Sequence, residues 1–166
     1  METQKMLIKL GSIENTQGEV WDHQGKTEVA EIFISYGDHV INFVQFLYVE
    51  NECLVLSERQ GSTTIGKFFT LVKLNYPDEF LTSITGTCGL HAGRIVVKSI
   101  TFGTNQGVRG PFGNKNAGVN IVGDTVFNFL MGKDRQCFGG FHGSTIKGVL
   151  ESIGVYVKPT TTPRKT

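Results

Sequence analysis

Short hydrophobic runs alternate with short polar stretches along most of this chain. The clearest runs are Val29 to Tyr36 (VAEIFISY) and Val40 to Val49 (VINFVQFLYV). Short runs rich in β-branched and aromatic residues are typical of strands. The spacer Gly37-Asp38-His39 predicts a hairpin turn between them. Asp38 and His39 are therefore interpreted as turn residues rather than catalytic ones.

The rest of the chain continues this pattern and predicts about ten to twelve short strands in all. No window of about eleven residues or more shows helical spacing of apolar residues free of glycine. Other predicted strands are Met6 to Leu10, Leu54 to Leu56, Lys67 to Leu74, Phe80 to Thr87, Ile95 to Gly103 and Leu150 to Val157. Predicted connections include Cys88 to Gly93, Thr104 to Asn116 and a polar loop from Gly143 to Gly148. The pattern indicates an all-β sandwich, barrel or prism.

Composition agrees with many turns joining many strands. The chain has 21 glycines and 12 phenylalanines against four prolines, and the glycines recur between apolar runs instead of clustering as in a linker. Its 166 residues favour one domain. We predict that this domain spans residues 1–158. The Pro/Thr/Lys tail at 159–166 is predicted to be disordered.

Charge and cysteine content narrow the class of protein. The net charge is +1 and the charged residues are spread along the chain, which argues against nucleic-acid binding or a basic membrane patch. The start METQKMLIKL has no apolar run typical of a signal peptide. Three widely spaced cysteines then indicate reduced thiols and a cytoplasmic location, with the nucleus as a further compartment. Cys53 and Cys88, near apolar runs, are expected to be buried.

Motifs for catalysis, cofactors and metals are missing from the sequence. No phosphate loop, HExxH, CxxC or GxSxG pattern occurs, and the four histidines lack metal-ligand spacing. His142 and Ser144 are close in sequence, but a triad also needs a third group that orients the base. We therefore expect no enzyme, no cofactor and no metal. Trp21, the only tryptophan, is expected to anchor the core.

The stretch Phe138 to Val157 (FGGFHGSTIKGVLESIGVYV) carries the strongest indication of a binding site. Its glycines free the backbone, and Glu151 lies where the predicted loop becomes a strand. Such a loop is suited to presenting main-chain N–H groups and one carboxylate to a small polar ligand. A Ser-Ile pair recurs in predicted strands, at Ser83-Ile84, Ser99-Ile100 and Ser152-Ile153, which is a weak indication of repeated sheets.

Taken together, these residues resemble the jacalin-related lectins of plants. The resemblance runs through about 150 residues in order, and it is closest to the single-domain, cytosolic, mannose-type members of mustard-family plants, including relatives that restrict virus movement. The matching pieces are Trp21-Asp22, Glu31 to Ile34, Val44 to Phe46, Leu74 to Pro77, Ile84 to Gly86, Ser99 to Phe102, Thr104-Asn105, Gly110 to Gly113, Phe138 to Gly143, Leu150 and Ile153 to Tyr156.

The resemblance implies a β-prism of three four-stranded Greek-key sheets about a pseudo-threefold axis. It also implies a mannose- or glucose-binding site, where a first-loop glycine meets a Gly-x-x-x-Asp loop near the C-terminus. On this chain the second loop becomes Lys147-Gly148-Val149-Leu150-Glu151. The implied binding residues are then Asn15 in the first loop, Lys147, Gly148 and Val149 as the backbone positions, and Glu151 as the acceptor. The implied role is plant defence or stress response.

Three departures from the family pattern leave the function open. Lys147 replaces a glycine, Glu151 replaces an aspartate, and Glu14-Asn15 stands where a glycine pair is expected. If the first position needs a positive φ, Lys147 costs about 1–2 kcal/mol. Glu151 moves its carboxylate by about 1.5 Å. One interpretation is a lectin for mannose-type oligosaccharides or glycoproteins, acting as a homo-oligomer. The other is a β-prism adaptor with a degenerate sugar site that binds protein partners.

Overall fold

The computed structural model describes residues 6–11, 16–114 and 123–159. Within these residues the chain forms thirteen strands and one short 3₁₀ turn, Arg135–Cys137. The strands are Ile8–Leu10 (β1), Glu19–Asp22 (β2), Glu28–Tyr36 (β3), Ile41–Glu50 (β4), Cys53–Leu56 (β5), Gln60–Gly61 (β6), Phe68–Lys73 (β7), Leu81–His91 (β8), Arg94–Thr104 (β9), Gly107–Gly113 (β10), Thr125–Leu130 (β11), Phe138–Ile146 (β12) and Val149–Val157 (β13).

The strands form three antiparallel sheets. One has the order β1-β13-β12-β2, the second β10-β9-β8-β11 and the third β5-β4-β3-β7, with β6 paired to β4 as a fifth strand. The predicted all-β prism is confirmed, with one sheet of five strands in place of four. None of the described residues forms a helix long and apolar enough to cross a membrane.

The core lies between the sheets and is built from alternate residues of their strands. In β3, Ile32 and Ile34 are fully buried because successive side chains of a strand point to opposite faces. The rings of Phe46 on β4 and Phe141 on β12 stack with their centroids 4.3 Å apart. Trp21 is 8% exposed and packs near them, which confirms its predicted role as a core anchor.

Several strands are longer than the sequence predicted, β1 and β7 are shorter, and three predicted connections are wrong over part of their length. Cys88 to His91 continues β8, Gly107–Gly113 is strand β10, and Gly143 to Ile146 completes β12. Gly143 pairs with both Trp21 and Ile153, and an added Cβ there would lie 2.8 Å from the Trp21 ring. These glycines serve close packing inside a sheet, as well as turns, which is why a glycine-based loop prediction fails here.

The cysteines are all free thiols, as predicted, but their burial differs from expectation. Cys53 is exposed because β5 is an edge strand whose four residues are all exposed, while Cys88 is half-buried and Cys137 is buried. The three Ser-Ile pairs place Ile84, Ile100 and Ile153 in the core. Two of these pairs lie on adjacent strands of one sheet, so the repeat does not mark one unit per sheet.

Two ends of the prism can be distinguished. The first end holds the β8–β9 hairpin, the β12–β13 hairpin and the loop at residues 16–18. In this loop, Gln17 is hydrogen-bonded to Arg94 of the β8–β9 hairpin and to Glu151 of the β12–β13 hairpin. The opposite end holds a network centred on Glu79, which is 1% exposed. Its carboxylate accepts hydrogen bonds from the Thr104 hydroxyl at 2.6 Å, from the Asn75 N–H at 2.9 Å and from the Arg109 guanidinium at 2.9 and 3.0 Å.

Candidate functional site at the β12–β13 hairpin

The site centres on a two-residue turn that joins β12 to β13. Ile146 and Val149 pair, and the residues between them, Lys147 and Gly148, have φ values of +48° and +76°. Two successive positive φ values are typical of the type I′ turns that connect strands tightly. Lys147 therefore occupies a position that favours glycine, at a cost of about 1–2 kcal/mol. Both turn residues are exposed.

A β-bulge sets the direction of the Glu151 side chain. Ser144 pairs with Ser152, and Thr145 pairs with Leu150, so Glu151 has no partner across the strands. A bulge of this kind bends the strand and turns a side chain out of the regular alternation. The carboxylate of Glu151 thereby reaches the loop that precedes β2.

Glu151 holds that loop against β12 by three hydrogen bonds, which we call the Glu151 latch. Oε1 accepts from the Gly18 N–H at 3.1 Å and from the Ser144 hydroxyl at 2.8 Å. Oε2 accepts from the Gln17 N–H at 3.1 Å. An ionised carboxylate accepts such bonds more strongly than a neutral oxygen does. The latch therefore fixes the first loop relative to the hairpin.

Two serines support the latch from below. The hydroxyl oxygens of Ser144 and Ser152 lie 2.7 Å apart. A serine hydroxyl has one proton, and that of Ser144 is donated to Glu151, so Ser152 donates to Ser144. Ser144 is fully buried. The resulting chain of donors runs from Ser152 through Ser144 to the carboxylate and fixes the rotamer of Glu151.

Gly18 allows the first loop to approach β12 this closely. A Cβ added at Gly18 would lie 1.9 Å from the carbonyl oxygen of Thr145, so no other residue fits without a shift of the backbone. On the other side of the loop, Arg94 Nη1 donates to Gln17 Oε1 at 3.4 Å. Gln17 thus connects the latch to the neighbouring β8–β9 hairpin.

The latch limits what Glu151 can accept from a ligand. An ionised carboxylate has about four lone-pair sites. Oε1 accepts two hydrogen bonds and Oε2 accepts one, which leaves one site on Oε2. In this arrangement Glu151 can accept one ligand hydroxyl instead of two.

The predicted site residues are brought together as far as the structure describes them. Lys147, Gly148, Val149 and Glu151 lie on one hairpin next to Gln17 and Gly18. Asn15 and its neighbour Glu14 lie outside the described residues. The sequence analysis missed Gln17, Gly18, Ser144 and Ser152 as parts of this network. The recurring Ser-Ile pair included Ser152. The pairing of Ser152 with Ser144 across the strands depends on the bulge at Glu151, and the Ser-Ile pattern does not predict that bulge.

The geometry at His142 does not resemble a catalytic triad. The carbonyl oxygen of Leu10 can only accept, so His142 Nε2 carries the proton and donates to it at 2.7 Å. Burial lowers the pKa of His142 below its usual range, with a further contribution from Lys9. The Ser144 hydroxyl is engaged in hydrogen bonds with Glu151 and Ser152. Among the described residues no cluster of three or more metal-ligating side chains occurs.

Comparison with known proteins identifies the family. Residues 10–156 match the Jacalin-like lectin domain, so the chain belongs to this family. The family is one of lectins, and the expectation that this protein is no enzyme is confirmed by that membership. The protein "RESTRICTED TEV MOVEMENT 1" of Arabidopsis thaliana is 38% identical over 145 residues, covering 85% of this chain and 78% of that protein. A protein named "Inactive protein RESTRICTED TEV MOVEMENT 1", from the same plant, matches to the same extent.

Solved structures of lectins match the fold over almost their whole length. A mannose-binding jacalin-related lectin from Ananas comosus superposes with a TM-score of 0.73 and 27% identity, covering 93% of this chain and 99% of that one. Artocarpin, in complex with mannotriose, superposes with a TM-score of 0.74 and 27% identity, covering 95% and 100%.

Proposed function

We propose that this protein binds glycans of the mannose or glucose type at the β12–β13 hairpin. The observation that carries the proposal is the Glu151 latch, which places one half-exposed carboxylate between the hairpin turn and the backbone of the first loop. Relatives of the same fold are a mannose-binding lectin and a lectin solved with mannotriose. The sugars that these relatives bind, mannose and mannotriose, support the choice of a mannose-type ligand.

The turn and the carboxylate have complementary roles in this proposal. The backbone N–H of Gly148 donates to a sugar oxygen, and the open lone pair on Glu151 Oε2 accepts one sugar hydroxyl. The N–H of Val149 closes the turn by donating to the Ile146 carbonyl, so Val149 contributes its position beside the sugar and no donor of its own. Lys147, at the tip of the turn, contributes its backbone. A charge-assisted hydrogen bond of this kind is roughly twice as strong as a neutral one.

The site is expected to bind a single sugar weakly. A dissociation constant of about 1 mM corresponds to about −4 kcal/mol. One hydrogen bond to a charged group contributes about 1.5–3 kcal/mol. Losing one of two hydroxyl contacts at the carboxylate therefore moves a monosaccharide close to the limit of detection, and oligosaccharides with several contacts are the better ligands.

The second candidate function is a protein-interaction adaptor. Its support is that three of about four lone-pair sites of Glu151 are used inside the protein, and that Lys147 replaces the glycine of the family pattern. In this case the latch serves only to hold the loops, and the same end of the prism presents them to a protein.

We place the protein in the plant cytoplasm, in defence or stress response. The support is the resemblance to cytosolic family members and the three free thiols, which suit a reducing compartment. Imaging of the full chain fused to a fluorescent protein tests the location. Fluorescence confined to the secretory pathway would contradict it.

Calorimetry separates the two functions. We expect saturable heat when purified protein is titrated with a mannose-rich oligosaccharide, and none with galactose. Glu151→Ala removes the acceptor and should abolish that heat, whereas Glu151→Asp restores the family's shorter acid and should increase the affinity. Absence of heat at millimolar oligosaccharide would contradict the lectin proposal and favour the adaptor. Binding that Glu151→Ala leaves unchanged would contradict the assigned site.

A further inference from the structure

The first loop connects two strands that lie on opposite edges of the β12–β13 pair. β1 pairs with β13, whereas β2 pairs with β12. The chain between Leu10 and Glu19 therefore starts at one edge of this pair and ends at the other. The Glu151 latch holds the end of the loop, at Gln17 and Gly18. A second contact holds its start.

His142 of β12 makes this second contact. Its Nε2 donates to the carbonyl oxygen of Leu10, the last residue of β1, at 2.7 Å. His142 and Ser144 are two residues apart on β12, in a regular stretch of pairing, so their side chains point to the same face of the sheet. This face therefore holds both ends of the first loop, because Ser144 supports the Glu151 latch.

The His142 ring lies in a narrow slot that backbone atoms close. The residue is 2% exposed. A Cβ added at Gly154, its partner across the strands, would overlap both the ring and the Leu10 carbonyl oxygen. A Cβ added at Gly11 would lie 3.3 Å from ring carbon Cε1. The ring fits because these two neighbours are glycines, and water reaches it only when β1 leaves the slot.

β1 has few other contacts that hold it in register. It has three residues, Ile8 is 47% exposed, and its pairing is with β13 alone. A strand of this length at the edge of a sheet opens more easily than a central strand does. The bond from His142 ties β1 to a second strand, β12, so it contributes much of what fixes Leu10 and the start of the loop.

Three titratable groups face the His142 ring, one from each strand around it. Lys9 on β1 opposes a positive charge on the ring, and Asp22 on β2 favours one. Tyr156 on β13 has its ring centroid 5.1 Å from that of His142, and its hydroxyl donates to Asp22 Oδ2 at 2.8 Å. Burial, followed by the bond to Asp22, raises the pKa of Tyr156 to about 12, so this group stays neutral.

We propose that His142 is a positioning residue of the glycan site, which fixes the start of the first loop while the Glu151 latch fixes its end. This inference rests on the proposed function. The ring acts in its neutral form, because its Nε2–H is donated to Leu10 and Nδ1 has no hydrogen-bond partner among the described residues. A proton added at Nδ1 would create an unpaired buried donor and a buried charge, so protonation favours release of β1 from the slot.

Glycan binding should therefore weaken in mild acid. Burial is the main cause that lowers the pKa of His142 below 6.5, and Lys9 acts in the same direction, against the Leu10 bond and Asp22. A released ring in water titrates near its ordinary value. Release is therefore increasingly favoured as the pH falls below 6.5, and one proton can change the affinity by at most about tenfold per pH unit.

Calorimetry with a mannose-rich oligosaccharide, at about pH 7.5 and about pH 5.5, tests the proposal. We expect the dissociation constant of the parent chain to rise at least about threefold at the lower pH. His142→Ala loses the donor and should bind weakly at both pH values. His142→Gln keeps a donor for the Leu10 carbonyl but cannot become charged, so it should recover binding and lose the pH dependence.

His23→Gln is the matched control for the titration of a buried histidine. Burial also lowers the pKa of His23, but its Nδ1 lies 2.7 Å from the Tyr48 hydroxyl, away from the first loop. This variant should keep the affinity of the parent chain and its dependence on pH.

The same coupling can be measured without sugar. In the ¹⁵N-labelled parent chain, the amide signals of Gly11, Gln17 and Gly18 should shift together as the pH falls below 6.5. These shifts should be absent in His142→Gln, because its side chain cannot take up a proton.

Several outcomes would overturn the proposal. They are a parent affinity that is equal at both pH values, a pH dependence that survives in His142→Gln or is lost in His23→Gln, and amide signals that titrate alike in the parent chain and in His142→Gln. Absence of glycan binding at both pH values would refute the lectin proposal instead. The amide titration would then still decide whether His142 positions the first loop, because it needs no sugar.

Discussion

Two glutamates, one at each end of the prism, hold loops by similar chemistry in different surroundings. Glu79 is buried and is neutralised by Arg109, with further hydrogen bonds from Thr104 and from the backbone of Asn75. Glu151 is half-exposed and is held by two backbone N–H groups and a serine. The Glu79 carboxylate is enclosed by the protein, whereas the half-exposed Glu151 carboxylate has one lone-pair site left after its three hydrogen bonds. We infer that the Glu79 end is scaffold and that the Glu151 end is the one able to bind a ligand.

The largest effect is expected from removing the buried acid. Glu79→Ala leaves the Thr104 hydroxyl and the Asn75 N–H without their acceptor and leaves Arg109 without its counter-ion. Breaking a buried, hydrogen-bonded charge pair typically costs about 3–5 kcal/mol. We expect a loss of about 3 kcal/mol in the free energy of unfolding, measured by urea denaturation, because the Arg109 side chain is 42% exposed and can be solvated. A loss below about 1 kcal/mol, in the range of a surface pair, would contradict the distinction between the two ends.

A smaller effect is expected at the latch. Glu151→Gln places an amide where the carboxylate accepted three hydrogen bonds, and we expect a loss of about 1–2 kcal/mol in the free energy of unfolding. The loop at residues 16–18 should lose more of its local stability than the protein loses as a whole. Hydrogen exchange at the Gln17 and Gly18 amides should accelerate in this variant, while exchange in β8 and β9 follows global stability. Unchanged protection of these two amides would show that the latch does not hold the loop.

The strained turn offers a change of the opposite sign. Lys147→Gly relieves a positive φ and should stabilise the protein by up to about 1 kcal/mol, by thermal or urea unfolding. Ala92, with φ +48° in the β8–β9 hairpin, is the matched control, and Ala92→Gly should give a similar gain. Lys147→Gly also restores the family residue, so we expect tighter mannose binding in that variant alone. Equal effects of both variants on sugar affinity would contradict a site at the β12–β13 hairpin.

The smallest effect is a dependence of stability on pH. Burial lowers the pKa of His23, with Lys26 contributing, and burial also lowers the pKa of His142. Because these pKa values are lower in the folded protein than in the unfolded chain, the unfolded chain binds protons at a higher pH. The free energy of unfolding should therefore decline as the pH falls below 6.5, the ordinary pKa of a histidine. Urea midpoints at intervals of pH should show this decline, and His142→Gln should reduce it. A midpoint that rises between neutral and mildly acidic pH would contradict the sign.

A second, separate loss of stability should follow at lower pH. Burial on its own would raise the pKa of Glu79, but the hydrogen bonds from Thr104, Asn75 and Arg109 and the charge of Arg109 outweigh it and hold the pKa below 4.5. The stability from this group is therefore present above that value and lost as the pH falls through the folded-state pKa. Glu79→Gln should remove this acid step and leave the histidine step.

The β-rich pattern and the motif order were enough to predict the prism and to locate the hairpin with Lys147 and Glu151. The latch could not be predicted, because it depends on a bulge that turns Glu151 toward the loop at Gln17 and Gly18, and on a contact that only Gly18 permits. Some glycines were wrongly assigned to loops because the contacts that require a glycine inside a strand are also not visible in the sequence. Gly143 and Gly110 lie in strands, where close packing and a bulge make use of the missing side chain.

The central claim is that the latched hairpin is a glycan site, and a titration followed by nuclear magnetic resonance tests it most directly. Mannotriose added to ¹⁵N-labelled protein should shift the amide signals of Gln17, Gly18, Gly148, Val149 and Glu151, while those of the Glu79 network, Asn75, Thr104 and Arg109, stay in place. Shifts confined to another part of the prism, or none at millimolar sugar, would contradict the claim.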